Sequence, residues 1–117
     1  MNPRLILGGL KSYLPLPLAK YKGTGGTVTG AYCYSVWLRH LTLIARHVGA
    51  FQPRRMVELG PGDSIGLGLA ALLTGVESYV GLDVLEHAST ATNLRVLDEL
   101  VELFRRHAPI PDEHDFP

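Results

Sequence analysis

The stretch MVELGPGDSIG, Met56 to Gly66, sets one acid, Glu58, in an apolar run and follows it with Gly60, Pro61 and Gly62. Glycine adopts positive φ readily and carries no Cβ, so a ligand can come close to the backbone there. A run compatible with a helix opens just after, and Asp63 and Ser64 are natural N-cap residues. The first N–H groups of such a helix, with the positive end of its dipole, would point at the same spot. A second acid, Asp83, stands 23 residues beyond Gly60. In dinucleotide sites a carboxylate about 20 residues past the glycine turn hydrogen-bonds the ribose. Each feature alone has a plainer reading, as a turn residue or a helix cap. Their combined spacing makes Gly60, Gly62 and Asp83, with Pro61 between the two glycines, candidate ligand-binding residues.

These residues need elements to hold them. Residues 56–59, with Arg55 at the edge, read as a short strand. Residues 64–74 read as a helix that Gly75 punctuates, and Ser78 to Leu82 as a second strand running straight into Asp83. A strand, a helix and a strand joined by short connections form a βαβ unit with parallel strands. Its ligand sits where the strands end. Residues 31–48 precede the unit. There Tyr34, Trp37, Leu38, Leu41, Ile44 and Val48 recur at helical spacing, Gly49 can close the helix and Pro53 follows. Trp37 reads as a core anchor, with Arg39 and His40 on the flanks. After Asp83, VLEHAST reads as a loop ending in an N-cap at Ser89 or Thr90. A long helix then runs to about His107, with Leu94, Leu97, Leu100 or Val101, and Phe104 as its apolar face. Pro109 and Pro111 stop it.

The fold class is therefore α/β: a partial Rossmann-like βαβ unit of two parallel strands, with an N-terminal helix and a long C-terminal helix. The division is an irregular Gly/Pro-rich leader over 1–30, the domain over 31–108, and a loose acidic, proline-rich tail over 109–117. The chain has 117 residues, so it holds one domain at most. Hydrophobic residues make up 46%, enough to bury a core. Eleven basic side chains balance 11 acidic ones, which argues against nucleic acid as the main partner, because phosphate binding needs a basic surplus. The pairs Arg54–Arg55 and Arg105–Arg106 read as solvated helix and strand ends. A lone cysteine, Cys33, forms no disulfide within the chain and fits a reducing compartment. The apolar run Leu5 to Leu7 is too short for a signal peptide or a membrane span, so the expected location is cytoplasmic, with no membrane partner.

Other motifs carry less. GTGGT, Gly23 to Thr27, lacks the Gly-Lys-Ser/Thr ending of a phosphate loop and no apolar strand precedes it. It reads as a surface loop or as a lid that folds over a ligand. Glu86 and His87 lie near the proposed site and read as loop residues. No serine, cysteine or histidine forms a nucleophile–base set, so catalytic residues are unassigned. The histidines lack zinc-site spacing, and no metal is expected.

The ligand follows from what the turn lacks. The nicotinamide fingerprint needs G-x-G-x-x-G, but Ile65 stands where the third glycine belongs and Gly66 falls one position late. Glu58 and Asp63 would also repel a pyrophosphate. A ligand with a positively charged end suits them, and S-adenosylmethionine has a ribose, a sulfonium and an ammonium group but no phosphate. VELGPGDS followed by YVGLDV resembles motifs I and II of the class I S-adenosylmethionine-dependent methyltransferases. The resemblance covers roughly residues 55–88 and departs in having Ser64 for the usual third glycine. It implies that Glu58 contacts the methionine end, that Gly60 and Gly62 make room, and that Asp83 holds the ribose. The GTGGT and YCYSVWLRH segments are similar to leaders of some bacterial members.

That family implies a seven-stranded sheet, of which this chain offers two strands. The expectation is the N-terminal cofactor-binding part of such an enzyme: an incomplete methyltransferase sheet, a fragment inactive alone and open to self-association, with its methyl acceptor unknown. Two other readings stay open: a non-catalytic nucleotide-binding or interaction module, and an NAD-binding Rossmann fragment.

Overall fold

The computed structural model describes residues 26–110. The PLPL segment, the first part of GTGGT and the tail over 111–117 lie outside the described residues. Five elements follow in order: α1 (Gly30–Val48), β1 (Arg55–Leu59), α2 (Gly66–Leu73), β2 (Ser78–Leu82) and α3 (Thr90–Arg105). Among the described residues the fold is α/β, with three helices and a two-stranded parallel sheet.

Local chemistry sets the boundaries. The Thr29 hydroxyl accepts the Tyr32 N–H at 3.3 Å and starts α1. Gly49, at φ 91°, ends it and returns its N–H to the Ala45 carbonyl. The Ser89 hydroxyl accepts the Thr92 N–H at 3.2 Å and starts α3, as the sequence implied. Helix α2 begins at Gly66, two residues later than expected, because Ser64 and Ile65 are drawn into the turn before it.

The strands pair with Val57 beside Val80, Glu58 beside Gly81 and Leu59 beside Leu82. Of the helices, α2 touches the strands, while α1 and α3 pack on α2 and on each other. All three helices therefore cover one face of the sheet. Side chains alternate between faces along a strand. Met56, Glu58 and Tyr79 point toward the helices and are half-buried. Val57, Leu59, Val80 and Leu82 point away and stay 63%, 80%, 50% and 54% exposed. The second face of the pair is apolar and uncovered by the described residues.

The core lies between the helices. Cys33, Tyr34 and Trp37 of α1 meet Ala70 and Ala71 of α2, Val76, and Val96 and Leu100 of α3. Trp37 is the anchor the sequence implied: its ring is buried and its Nε1 donates to Thr74 Oγ1 at 2.7 Å, joining α1 to the end of α2. Tyr34 donates to the Ala108 carbonyl at 2.6 Å and meets the Phe104 ring edge-on at 4.8 Å, which seats the end of α3. The buried face of α3 keeps Leu100 of the expected stripe and shifts near its start: Val96 is fully buried with Leu100, whereas Leu94 is exposed, because α3 packs against two helices rather than on the sheet. Val48, expected on the α1 stripe, is also exposed, since it lies beyond the reach of α2 and α3. Among the described residues no helix is long and apolar enough to cross a membrane.

Candidate functional site

The turn between β1 and α2 is built from glycines that need their conformation. Gly60 and Gly62 have φ of 73° and 75°, where a side chain is strained. A Cβ on Gly60 would meet no protein atom within 4 Å, so within the protein itself this position requires the backbone angle. The Gly60 N–H donates to the Leu82 carbonyl at 2.7 Å, which ties the turn to the end of the neighbouring strand. Pro61 and Gly62 are buried beside it.

Asp83 closes the turn from β2. Its Oδ2 accepts the Gly62 N–H at 3.2 Å, and its Oδ1 accepts the Val84 N–H at 2.7 Å. The Leu85 N–H, at 3.5 Å, is at the limit of a hydrogen bond. The Gly62 bond, helped by the Leu85 and Val84 amides and the nearby His87 charge, holds the carboxyl below its ordinary range against a smaller desolvation effect. Each carboxylate oxygen has two acceptor sites. With Val84 and the longer Leu85 contact on Oδ1 and Gly62 alone on Oδ2, Oδ2 retains a site that a ligand hydroxyl can use.

Glu58 sits one step back, on the helix side of β1 opposite Gly81. The Tyr79 hydroxyl donates to its Oε2 at 2.7 Å. Burial, together with this bond and the Glu58 charge, drives the Tyr79 phenol well above its ordinary range. Burial and then the same Glu58 charge push the Cys33 thiol up to about 12. Cys33 is thus an inert core thiol, and the field of Glu58 reaches it across the base of α1.

The N–H groups ahead of α2 do not face outward as expected. Ser64 N–H donates to Thr27 Oγ1 at 3.2 Å, Ile65 N–H to Asn93 Oδ1 at 3.0 Å, and Gly66 N–H to Ser64 Oγ at 3.0 Å. Ser64 Oγ in turn donates to the Thr27 carbonyl. The residue at the N-cap is Ile65, which caps with no side chain. The expected caps, Asp63 and Ser64, lie two and one positions earlier, and Asn93 of α3 serves the Ile65 amide instead.

These groups border a cleft of about 180 Å³ lined by Pro61, Gly62, Gly81, Asp83 and the Leu85–Ala88 loop, with Ile65 at its base. The structure thus brings Pro61, Gly62 and Asp83 together, and adds Glu86 and His87, which read from sequence as plain loop residues. Glu58 and Gly60 lie outside the lining of this cleft. A ligand-sized site is typically 300–1,000 Å³, so this cleft suits part of a ligand, such as a nucleoside sugar. A larger depression of about 460 Å³ runs along α1 and α3 past Ala31, Asp98, Glu99 and Glu102 and shares no residue with the turn. Its size does not make it the better site. Glu99 is already engaged by the Gly30 N–H and by Arg95, and Glu102 by Arg105.

Three residues that hold the site were not singled out in the sequence: Thr27, Tyr79 and Asn93. Asn93 carried a signal, as an amide in the first turn of a helix whose own N-cap was already assigned to Ser89 or Thr90. Among the described residues no cluster of His, Cys, Asp and Glu could hold a metal ion. Comparison with protein-family models, curated proteins and solved structures finds no match to this chain.

Proposed function

We propose that this chain is the S-adenosylmethionine-binding N-terminal part of a class I methyltransferase, built on a partial Rossmann-like unit. The observation that carries the reading is the joined pair of motifs. Gly60 and Gly62 take positive φ at the end of one strand, and Asp83, at the end of the parallel neighbour, accepts the Gly62 N–H. Asp83 keeps an acceptor site on Oδ2, which suits a ribose hydroxyl. Glu58, the acid of the first motif, lies beside the turn and suits a cationic methionine end.

The choice between this cofactor and a dinucleotide rests on the amides. A pyrophosphate in the Rossmann manner needs backbone N–H groups at the turn and helix start. Here Gly62, Ser64, Ile65 and Gly66 spend theirs on Asp83, Thr27, Asn93 and Ser64. Two acids at the turn, Glu58 and Asp63, add to the cost of a phosphate. Both facts favour a phosphate-free nucleoside with a positive end. When bound, S-adenosylmethionine would supply an electrophilic methyl group. The chain's own residues would orient the ribose at Asp83 and accept the ammonium near Glu58.

The test is isothermal titration of the whole chain with S-adenosylhomocysteine and with NADH. The expected outcome is binding of S-adenosylhomocysteine and loss of that binding in Gly62→Val, whose branched side chain would stand in the turn at a strained φ. Equal binding by wild type and Gly62→Val would remove the turn from the site, and tighter binding of NADH would replace the cofactor.

A further inference from the structure

We propose that Tyr79 is a positioning residue for Glu58, fixing the carboxylate that meets the cationic end of the ligand. The proposal rests on the cofactor reading above and goes beyond it.

The geometry is specific. Tyr79 and Gly81 lie two residues apart on β2 and face the same side, toward the helices. Gly81 stands directly opposite Glu58 across the strand pair. A Cβ on Gly81 would lie 2.7 Å from the Tyr79 hydroxyl oxygen, so the phenol end fills the place where a side chain opposite Glu58 would stand. On the other side of the ring, a Cβ on Gly68 would lie 2.5–2.6 Å from three ring atoms. Helix α2 therefore rests its bare backbone on the tyrosine ring. Two glycines, one on the helix and one on the strand, clear a slot that only a flat ring reaching diagonally along β2 occupies. At its end the hydroxyl donates to Glu58 Oε2 at 2.7 Å.

This arrangement has a consequence for binding. A glutamate has three side-chain torsions, and ordering them on contact with a ligand costs affinity. The Tyr79 bond sets the carboxylate orientation before any ligand arrives. It takes one acceptor site and leaves others for an ammonium donor. A phenylalanine would fill the same slot and keep the packing, but would leave Glu58 unheld. The hydroxyl therefore serves Glu58, and the ring serves the core.

The experiment titrates the whole chain with two ligands, S-adenosylhomocysteine, which has the ammonium group, and adenosine, which lacks it. Wild type, Tyr79→Phe, Glu58→Gln and the double variant are compared. The expected result is that Tyr79→Phe weakens S-adenosylhomocysteine about tenfold and leaves adenosine unchanged. The double variant should bind S-adenosylhomocysteine no more weakly than Glu58→Gln alone, because Tyr79 acts through Glu58. Unchanged affinity of Tyr79→Phe for S-adenosylhomocysteine overturns the proposal. So does an equal loss for both ligands, which would make the hydroxyl a purely structural group, or losses that add in the double variant. Wild-type protein that binds neither ligand refutes the cofactor reading itself, and the positioning role falls with it.

Discussion

Replacing Gly66 with alanine tests whether the helix that frames the site is seated as described. Gly66 is the first residue of α2 and is buried. A Cβ there would overlap Cys33 Sγ outright and lie 2.8 Å from Val96 Cγ1 and 2.9 Å from Ser64 Oγ. All three neighbours are fully buried, so none can swing into solvent. Val96 is β-branched and sits in a helix, where one χ1 rotamer dominates. Overpacking of this kind costs about 1–3 kcal/mol. Removing a helix glycine returns up to about 1 kcal/mol through lower backbone entropy in the unfolded chain. The net expectation is destabilisation by roughly 1–2 kcal/mol, which for a domain of this size lowers Tm by roughly 5–15 °C. The assay is thermal melting followed by circular dichroism on wild type, Gly66→Ala, Cys33→Ala and the double variant. Cys33→Ala removes the sulfur that the new methyl would strike, so the double variant should be more stable than the sum of the singles by about 1–2 kcal/mol. A Gly66→Ala protein that melts with wild type, or single effects that add within about 0.5 kcal/mol, would refute the three-way contact of α1, α2 and α3 at the start of α2.

Four further outcomes follow from the same geometry. Asp83→Ala should weaken S-adenosylhomocysteine at least tenfold, as expected for charge-assisted hydrogen bonds to ribose; an unchanged Kd in titration calorimetry removes the ribose role. Because the Asp83 pKa is depressed in the folded chain, its clamp on the Gly62 amide is complete above the ordinary value near 3.9 and is lost only as pH falls through the depressed value. A carboxyl carbon NMR titration with its midpoint at or above that ordinary value contradicts the clamp. The Cys33 pKa is raised from 9.0 to about 12, so its contribution to stability is full below about 9 and is lost as pH climbs from there toward 12. Urea melts should show stability falling in that window and a shallower fall in Cys33→Ala; identical slopes would place the thiol in water. The apolar patch of Val57, Leu59, Val80 and Leu82, with Arg55 at its edge, should associate with a second copy of the chain, since association removes its exposed apolar surface from water and the chain has no net charge. Light scattering after size exclusion should detect concentration-dependent dimers that vanish in Leu59→Lys/Leu82→Lys, and a monomer at all concentrations argues against this surface.

The strands and turns were legible because their signals are local. Gly49, Gly75 and Ser89 fix ends through their own backbone or side-chain chemistry, and the structure places each where the sequence put it. The parallel pairing followed from the short strand–helix–strand spacing. What sequence spacing could not give was which helix meets which. Leu94 fits a helical stripe with Leu97 and Leu100, yet packing against α1 and α2 buries Leu100 together with Val96 and leaves Leu94 exposed. The glycines were read in part. Gly60 was expected to use its positive φ, and the structure gives it one. Gly66 was set aside as a misplaced third glycine of a nucleotide motif, yet Cys33 of α1 and Val96 of α3 press on it at the start of α2. Tyr79 read as a strand aromatic, because nothing in the spacing reveals that Gly68, eleven positions earlier, is cut away to admit its ring.

A two-stranded sheet is a weak platform for a preorganised site, since an isolated pair of strands is marginal in water. The turn here does not depend on the sheet alone. Leu82 and Asp83 hold Gly60 and Gly62 from the strand side. Thr27, just ahead of α1, holds Ser64, and Asn93 of α3 holds Ile65. Every helix thus has a hand on the same seven-residue turn, Gly60 to Gly66, and the core that joins the helices to one another also fixes the turn. This explains why the amides are consumed internally: they are the attachment points. The same attachments narrow the ligand. A site that spends its N–H groups on its own rigidity has few left for an anion, and offers carboxylates instead. Hydroxyls and ammonium groups are the chemistry that such a surface can bind, and a nucleoside with a cationic tail carries both.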